Sequence, residues 1–338
     1  MEDLLEALLW PEPRARQAWD RWRSGIEVDR VPHAAQQMFS ALSPRFPAWL
    51  ENDPAAGIFQ GIVRMAWSKN QLRIRKAVEL MALLEGAGVR SRVAGPLAWA
   101  LRTPAPAVRP IPYLTLLVAR GDVRKAADVL ADANWAPYPD VSSLQELDWF
   151  DRIAFEQDGL HLHLHWRLLA TPPEDAARCE KAFLNDFCAI QWNQQVFETT
   201  SKESTLLQIL CGARDGDVFP WQADVALLGT AGIRWAAFRR LALQFGPGAL
   251  ERLQELRASS PLVLPALRQD RAGRLRRKFQ YFWGQYRIRS YYRKEKPSWP
   301  GFARFLADRW NLPHVWLVPF AGARRILQHA CTIREGKT

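Results

Sequence analysis

The chain is poor in cysteine. Its 338 residues include four, at 179, 188, 211 and 331, and no two of them stand in a Cys-x-x-Cys pair. A small exported scaffold held by disulfides is much denser in cysteine. The composition therefore predicts a reducing, cytoplasmic setting, with Cys188 and Cys211 as small buried fillers. Long apolar runs are lacking as well. No stretch of the length needed to cross a bilayer, about 18 residues, is free of charge. The opening MEDLLEALLWPEPRARQAWD is acidic at once and has neither the basic leader nor the apolar core of a secretion signal. There is no phosphate-binding Walker loop, no dinucleotide glycine fingerprint and no Gly-x-Ser-x-Gly elbow. Those absences remove the commonest nucleotide-hydrolysing, dehydrogenase and serine-hydrolase readings.

What is present is enough apolar material, 48% of residues, to build a buried core in one or two domains. Sixteen tryptophans are spread along the chain, which suits core and groove packing. The net charge is +11 and the isoelectric point about 9.9. Such a surplus attracts anions: nucleic acid, acidic lipid or phosphorylated ligands.

Apolar spacings near three and four make residues 1–68 a helical support region, broken at Pro11 and Pro13, at Ser43-Pro44 and at Asn52-Asp53-Pro54. Residues 69–90 predict a helix with Leu72, Ala77, Leu80, Leu83 and Leu84 on one stripe, stopped by Gly86 and Gly88. A short strand, VRSRVAG, leads to Gly95, and Pro96 is tolerated in the first turn of the next helix. IPYLTLLV at 111–118 predicts a buried strand, RKAADVLADA a helix, and LHLHLHWRL at 160–168 a cleanly alternating strand. The result is an α+β fold: a small mixed-sheet domain over 69–170, flanked by helices. A helical region is expected over 171–260, and a basic aromatic region over 261–338.

Several of these landmarks together resemble uncharacterised bacterial nucleotidyltransferase-like proteins of the DNA polymerase beta superfamily, over roughly residues 20–258. Members carry a Lys-Gly at the end of the first strand, where this chain has Ala94-Gly95. They carry an arginine, then an Asp-x-Asp strand ending in Leu-Val. Here Arg109 and the Leu117-Val118 tail remain, but the acidic places hold Tyr113 and Thr115. They carry an acidic residue two before a His-Trp pair, and here His163 precedes His165-Trp166. Leu206 to Ala213, Asp224-Val225-Ala226-Leu227-Leu228 and Ile233-Arg234-Trp235 match later landmarks.

The resemblance implies a nucleotidyltransferase-like fold whose metal clamp is degenerate. Nucleotidyl transfer uses metal ions to neutralise the triphosphate and orient the attacking group. Magnesium wants hard oxygen ligands. Two carboxylates at i and i+2 on one strand point to the same face and hold it. Tyrosine, threonine and imidazole supply none of that negative charge. With no carboxylate at Tyr113, Thr115 or His163 and no lysine at Ala94, the expectation is a protein that has lost canonical transfer, with no catalytic residue and no cofactor assigned. Its cleft would still take a nucleotide, a phosphorylated metabolite or a peptide, with Gly95, Arg92, Arg102, Arg109 and His165 as candidate cleft or anion-binding residues. The alternative is an active enzyme using ATP or another nucleotide with magnesium through displaced carboxylates. Asp122, Asp128, Asp148 and Asp151 are the nearest, although a solvated rim is the simpler reading for them.

His161, His163 and His165 alternate and so share one strand face. Their backbone positions are roughly 6.6–7 Å apart, too far for easy shared ligation. A polar sheet face is the simpler reading, with a zinc-like site on these three histidines as the alternative.

Residues 268–296 hold eleven Lys or Arg and two acids. Leu275, Phe279, Phe282 and Tyr286 follow helical spacing within them. Arg274, Arg276, Arg277, Lys278, Arg287 and Arg289 form a candidate partner surface. A docking helix with wet arginines, a nucleic-acid binder, a peripheral membrane contact and a protein contact all remain open. Trp299, Phe302, Phe305, Leu306 and Trp310 predict a further amphipathic helix, which favours docking.

Overall fold

The computed structural model describes residues 1–103, 109–138, 151–169, 173–212, 219–229, 231–246, 248–265, 282, 283, 286, 298–309, 314, 318 and 319. The chain divides into two units, Met1–Arg274 and Leu275–Thr338.

In the first unit, α1 (Glu2–Leu9), α2 (Arg14–Ser24), α3 (His33–Leu42) and the short α4 (Phe46–Trp49) precede α5 (Ala56–Gly86). Three of the breaks fall at the predicted prolines, and a further one, between α2 and α3 at Gly25–Pro32, was not foreseen. Trp19 sits at the centre of this cluster, with the rings of Phe39, Phe46, Trp49 and Phe59 all within 6.2 Å. The helix α5 is continuous over 31 residues. It crosses the boundary drawn at residue 68, because nothing between Ile62 and Glu85 breaks a helix. Its inward stripe is Ile74, Ala77, Leu80 and Leu84, whereas Leu72 and Leu83 turn to solvent. The glycine stop behaves as predicted. Gly88 adopts φ +74°, its N–H donates to Glu85 O at 2.7 Å, and Val89 N–H donates to Leu84 O at 2.8 Å. Leu84 and Val89 are both fully buried, which completes a left-handed helix cap with its apolar contact.

The fold is α+β, as the pattern predicts. Strands β1 (Ser91–Val93), β2 (Leu114–Val118), β3 (Ala136–Tyr138), β4 (Arg152–Gln157), β5 (Leu160–His165), β6 (Phe187–Trp192) and β7 (Gln195–Thr200) form one mixed sheet in the order β3-β4-β5-β2-β1-β7-β6. The central pair β2 and β5 is parallel, and β1 runs antiparallel to β2 and parallel to β7. Helices α6 (Gly95–Leu101) and α7 (Val123–Asp132) join α5 against the face that carries Leu114, Leu116, Val118, Leu162 and Leu164. The sheet extends past the expected limit at residue 170, since β6 and β7 form a hairpin inside the segment read as helical. Strand β4 was likewise not foreseen. It alternates Ile153 and Phe155 inward and joins β5 through Asp158-Gly159, both at positive φ.

Helices α8 (Pro173–Asn185), α9 (Lys202–Gly212), α10 (Trp221–Leu228), α11 (Trp235–Phe245) and α12 (Ala249–Ser259) follow. They share a second apolar cluster built on Phe183, Leu206, Leu207, Phe238 and Leu253. Cys179 lies fully buried in it, while Cys188 and Cys211, both expected to be buried fillers, are half-buried. Burial pushes the Cys211 thiol up to about 12.

In the second unit, α13 (Trp299–Arg309) contributes Phe302 and Leu306 to a small core with Phe282, Trp283, Tyr286, Phe305 and Val318. Arg274, Arg276, Arg277, Lys278, Arg287, Arg289, Leu275, Phe279, Trp310 and Cys331 lie outside the described residues. Among the described residues no helix is long and apolar enough to cross a membrane.

Candidate functional site

Alternation along β2 and β5 sends Leu114, Leu116, Leu162 and Leu164 into the core and Tyr113, Thr115, Leu117, His161, His163 and His165 toward the opposite side of the sheet. The parallel register sets Thr115 against His163 and Leu117 against His165. The ring of Tyr113 lies over His163, centroids 4.1 Å apart and planes tilted by 32°. The three residues at the metal-clamp positions implied by the resemblance therefore meet at the middle of the sheet.

Its surroundings keep the His163 imidazole neutral. Burial is the largest cause of the His163 imidazole falling to about 3, and the adjacent His165 adds to it. His165 is more deeply buried and is also lowered, against the pull of the Asp151 charge. Its Nδ1 lies 3.0 Å from Arg167 O. A carbonyl can only accept, so Nδ1 carries the hydrogen and Nε2 does not. Thr115 is 2% exposed, and its Oγ1 has no hydrogen-bond partner among the described residues. Gly95, at φ +52°, passes close above it: a Cβ there would come within 3.0 Å of Thr115 Oγ1. Both the backbone angle and this approach require glycine. Ala94 N–H donates to Thr115 O at 3.0 Å, which fixes the end of β1 against β2.

The donor set does not fit a magnesium ion. A phenol, a buried hydroxyl and an imidazole held neutral replace the hard anionic oxygens that ion wants. The histidine strand does not converge either. His163 and His165 ring centroids are 6.2 Å apart, and His161 is 57% exposed beside Glu156. Among the described residues no group of three or more His, Cys, Asp or Glu is arranged to hold a metal.

The candidate arginines are turned to protein acceptors. Arg109 is buried and forms a two-pronged pair with Asp224, Nε to Oδ1 at 2.7 Å and Nη2 to Oδ2 at 3.0 Å. Its guanidinium also lies 4.9 Å from the Trp99 ring centre and 5.2 Å from that of Phe219. A ligand anion would have to displace Asp224 to reach it. Arg92 donates to Glu198 at 3.2 Å and to Leu184 O, and lies 4.4 Å over the Phe187 ring. Arg102 donates to Thr200 O and contacts Cys188 Sγ at 3.1 Å.

Of the displaced acids, Asp151 comes nearest. It immediately precedes β4, its carbonyl accepts the Trp166 N–H at 3.2 Å, and its charge acts on both His163 and His165. Its carboxylate is 3.5 Å from Arg152 Nη1. Asp128 is exposed on α7, in the layer behind the leucine face, and Asp148 lies outside the described residues.

Sequence reasoning missed two residues that hold the site. Asn70 of α5 is buried, donates to Arg109 O at 2.9 Å and accepts the Ile111 N–H at 3.0 Å. It clamps the backbone that feeds β2. A polar residue one turn before Ile74 on the inward stripe was the available signal. Asp224 stood in a recognised landmark, but its tie to Arg109 spans 115 positions.

Residues 50–264 match the family described as uncharacterised nucleotidyltransferase, and the chain belongs to that family. The match takes in the whole sheet and the helices from α5 through α12, and ends before the second unit. Comparison with curated proteins yields no match.

Proposed function

We propose that this nucleotidyltransferase-like protein has lost metal-dependent nucleotidyl transfer and keeps its sheet face for binding a ligand or a partner. The observation that carries this reading is the centre of the sheet. Tyr113, Thr115 and His163 meet there, and Thr115 is buried with no carboxylate beside it on β2 or β5. A site that must gather two cations and a triphosphate needs fixed negative charge at that point. Removing those charges removes the largest electrostatic contribution to the reaction. A neutral, aromatic-faced surface favours an uncharged or weakly charged group instead, with anionic parts of the ligand left to the rim.

The second reading is an active nucleotidyltransferase with displaced ligands, and Asp151 is the observation in its favour. In that case ATP and magnesium would meet at the β4 end of the sheet rather than on β2.

Calorimetry of ATP binding separates them, on protein free of nucleic acid and run without metal, with magnesium and with manganese. The proposal expects binding that is either absent or indifferent to metal. Metal-strengthened binding would sink it and direct adenylylation assays to Asp151→Asn. Metal-indifferent binding would identify a nucleotide sensor or scaffold, and no binding would turn the search to a protein partner.

A further inference from the structure

The positive charge of the chain is not shared between its units. Leu275–Thr338 holds fourteen Lys or Arg against three acids, Glu295, Asp308 and Glu335. That surplus of eleven is the whole net charge of the protein. Met1–Arg274 holds thirty-two of each sign and balances to zero.

Three carboxylates cannot neutralise fourteen cations. An unpaired guanidinium or ammonium buried away from water costs several kcal/mol. At least eleven cations of this unit therefore need water or an anion from outside the unit.

The described residues show what the unit does with its aromatic half. Phe302 packs edge-on to Trp283 at 4.8 Å and lies 5.6 Å from Tyr286. Tyr286 is 5% exposed, and its hydroxyl accepts the Ser298 N–H at 3.0 Å. Gly301 on α13 admits that hydroxyl, because a Cβ there would collide with it. Even Trp299, exposed on one side, sets its ring 4.8 Å from that of Trp283. An amphipathic membrane helix needs a free apolar face to insert, and most of the described apolar residues of this unit pack into its own core. Base-stacking proteins need free aromatic platforms, and among the described residues Trp283, Tyr286, Phe302 and Phe305 pack on one another instead, with Trp299 the exposed exception. Arg304, between Phe302 and Leu306 on the same helix, points to solvent.

We propose that the C-terminal unit binds the phosphate backbone of a nucleic-acid duplex, without reading its sequence. A segment with eleven more cations than acids gains from releasing the counterions condensed on such a polyanion. The proposal is independent of the cleft on the first unit, and also lies outside the part of the chain that defines the family.

The test uses the full chain, freed of nucleic acid, and fluorescence anisotropy with two unrelated labelled DNA duplexes of about 24 base pairs. Salt is varied from about 50 to about 200 mM, a range over which six or more phosphate contacts lose about a thousandfold or more in affinity. The proposal expects that loss and, for the two sequences, affinities within about threefold of each other. Replacing five cations together, Arg276→Gln, Arg277→Gln, Lys278→Gln, Arg287→Gln and Arg289→Gln, is expected to flatten the logarithmic salt slope by about 4. A matched set on the first unit, Arg30→Gln, Arg64→Gln and Arg75→Gln, should leave it unchanged. Thermal melts check that both variants fold, and the wild-type salt slope stands whether or not they do. The proposal fails if the duplex does not bind at the lowest salt, if binding ignores salt, or if the two variant sets weaken it equally. It also fails if vesicles with about 30% phosphatidylserine bind and the duplex does not.

Discussion

Two places near the sheet treat buried charge in opposite ways. Where β2 begins, Arg109 and Asp224 are kept as a buried, two-pronged ion pair, 4% and 5% exposed. A few residues further along the chain, Tyr113 and Thr115 face His163, whose imidazole is held neutral by burial, with no carboxylate among the three. The first pair ties the entry of β2 to α10 and so serves the architecture. The second cluster occupies the positions where nucleotidyl transfer would need carboxylates. Charge stands where it holds elements together, and none stands at the positions where the family resemblance expects a metal clamp.

The contrast can be broken most sharply at Asp224. Asp224→Ala leaves Arg109 buried without its partner and is expected to lose about 3–5 kcal/mol in urea unfolding. A loss under about 1 kcal/mol would show that the pair holds nothing. At the neutral cluster the expectation is reversed. Thr115→Asp introduces a carboxylate where no cation waits and is expected to lose about 3 kcal/mol, with no recovery on adding magnesium. Recovery of the melting temperature in magnesium would mean that the remaining ligands of a metal site are still in place.

The acid range sharpens the same comparison. The His163 imidazole titrates near 6.5 in the unfolded chain and near 3 in the folded one. The unfolded state thus takes up the proton first. Stability is complete above about pH 6.5 and falls by about 1.4 kcal/mol per pH unit as pH drops toward 3. His165, also lowered, acts in the same direction. Burial alone would raise Glu203, yet hydrogen bonds from the Arg234 side chain and backbone hold it at about 2, so its contribution is lost only below pH 4.5. Between pH 6.5 and 4.5, His163→Phe should therefore show a shallower loss than wild type in urea midpoints. Parallel curves would contradict the burial of that ring. The smallest effect is expected at an exposed pair. Arg75, 82% exposed beside Glu79, should change stability by under about 0.5 kcal/mol when replaced by alanine.

The sequence made some of this readable and hid the rest for identifiable reasons. Buried strands with pure periodicity, β2 and β5, stood out, as did the glycine stop after α5 and the shared face of the histidines. β4 was overlooked although Asp158-Gly159 is a strong hairpin signal, because the acidic, aromatic run before it drew the eye to a solvated rim. The β6–β7 hairpin turns at Asn193, at φ +51°, with no glycine to mark it. The arginines of the cleft were legible as residue types but not as bonds. Whether Arg92, Arg102 and Arg109 face a ligand or a neighbour depends on partners 92, 98 and 115 positions away, and no local pattern encodes that.

The long helix α5 has a thermodynamic consequence. At about 1.5 Å per residue it is a rod of about 46 Å. Its first turns bury Phe59 in the N-terminal aromatic cluster, and its last turns bury Leu80 and Leu84 against the sheet. Asn70 holds the β2 entry between the two. Neither apolar cluster can dissolve without fraying the rod that the other needs. The N-terminal helices and the sheet should accordingly exchange their amide hydrogens as one cooperative block, and a cleavage near residue 68 would unfold both sides of the cut.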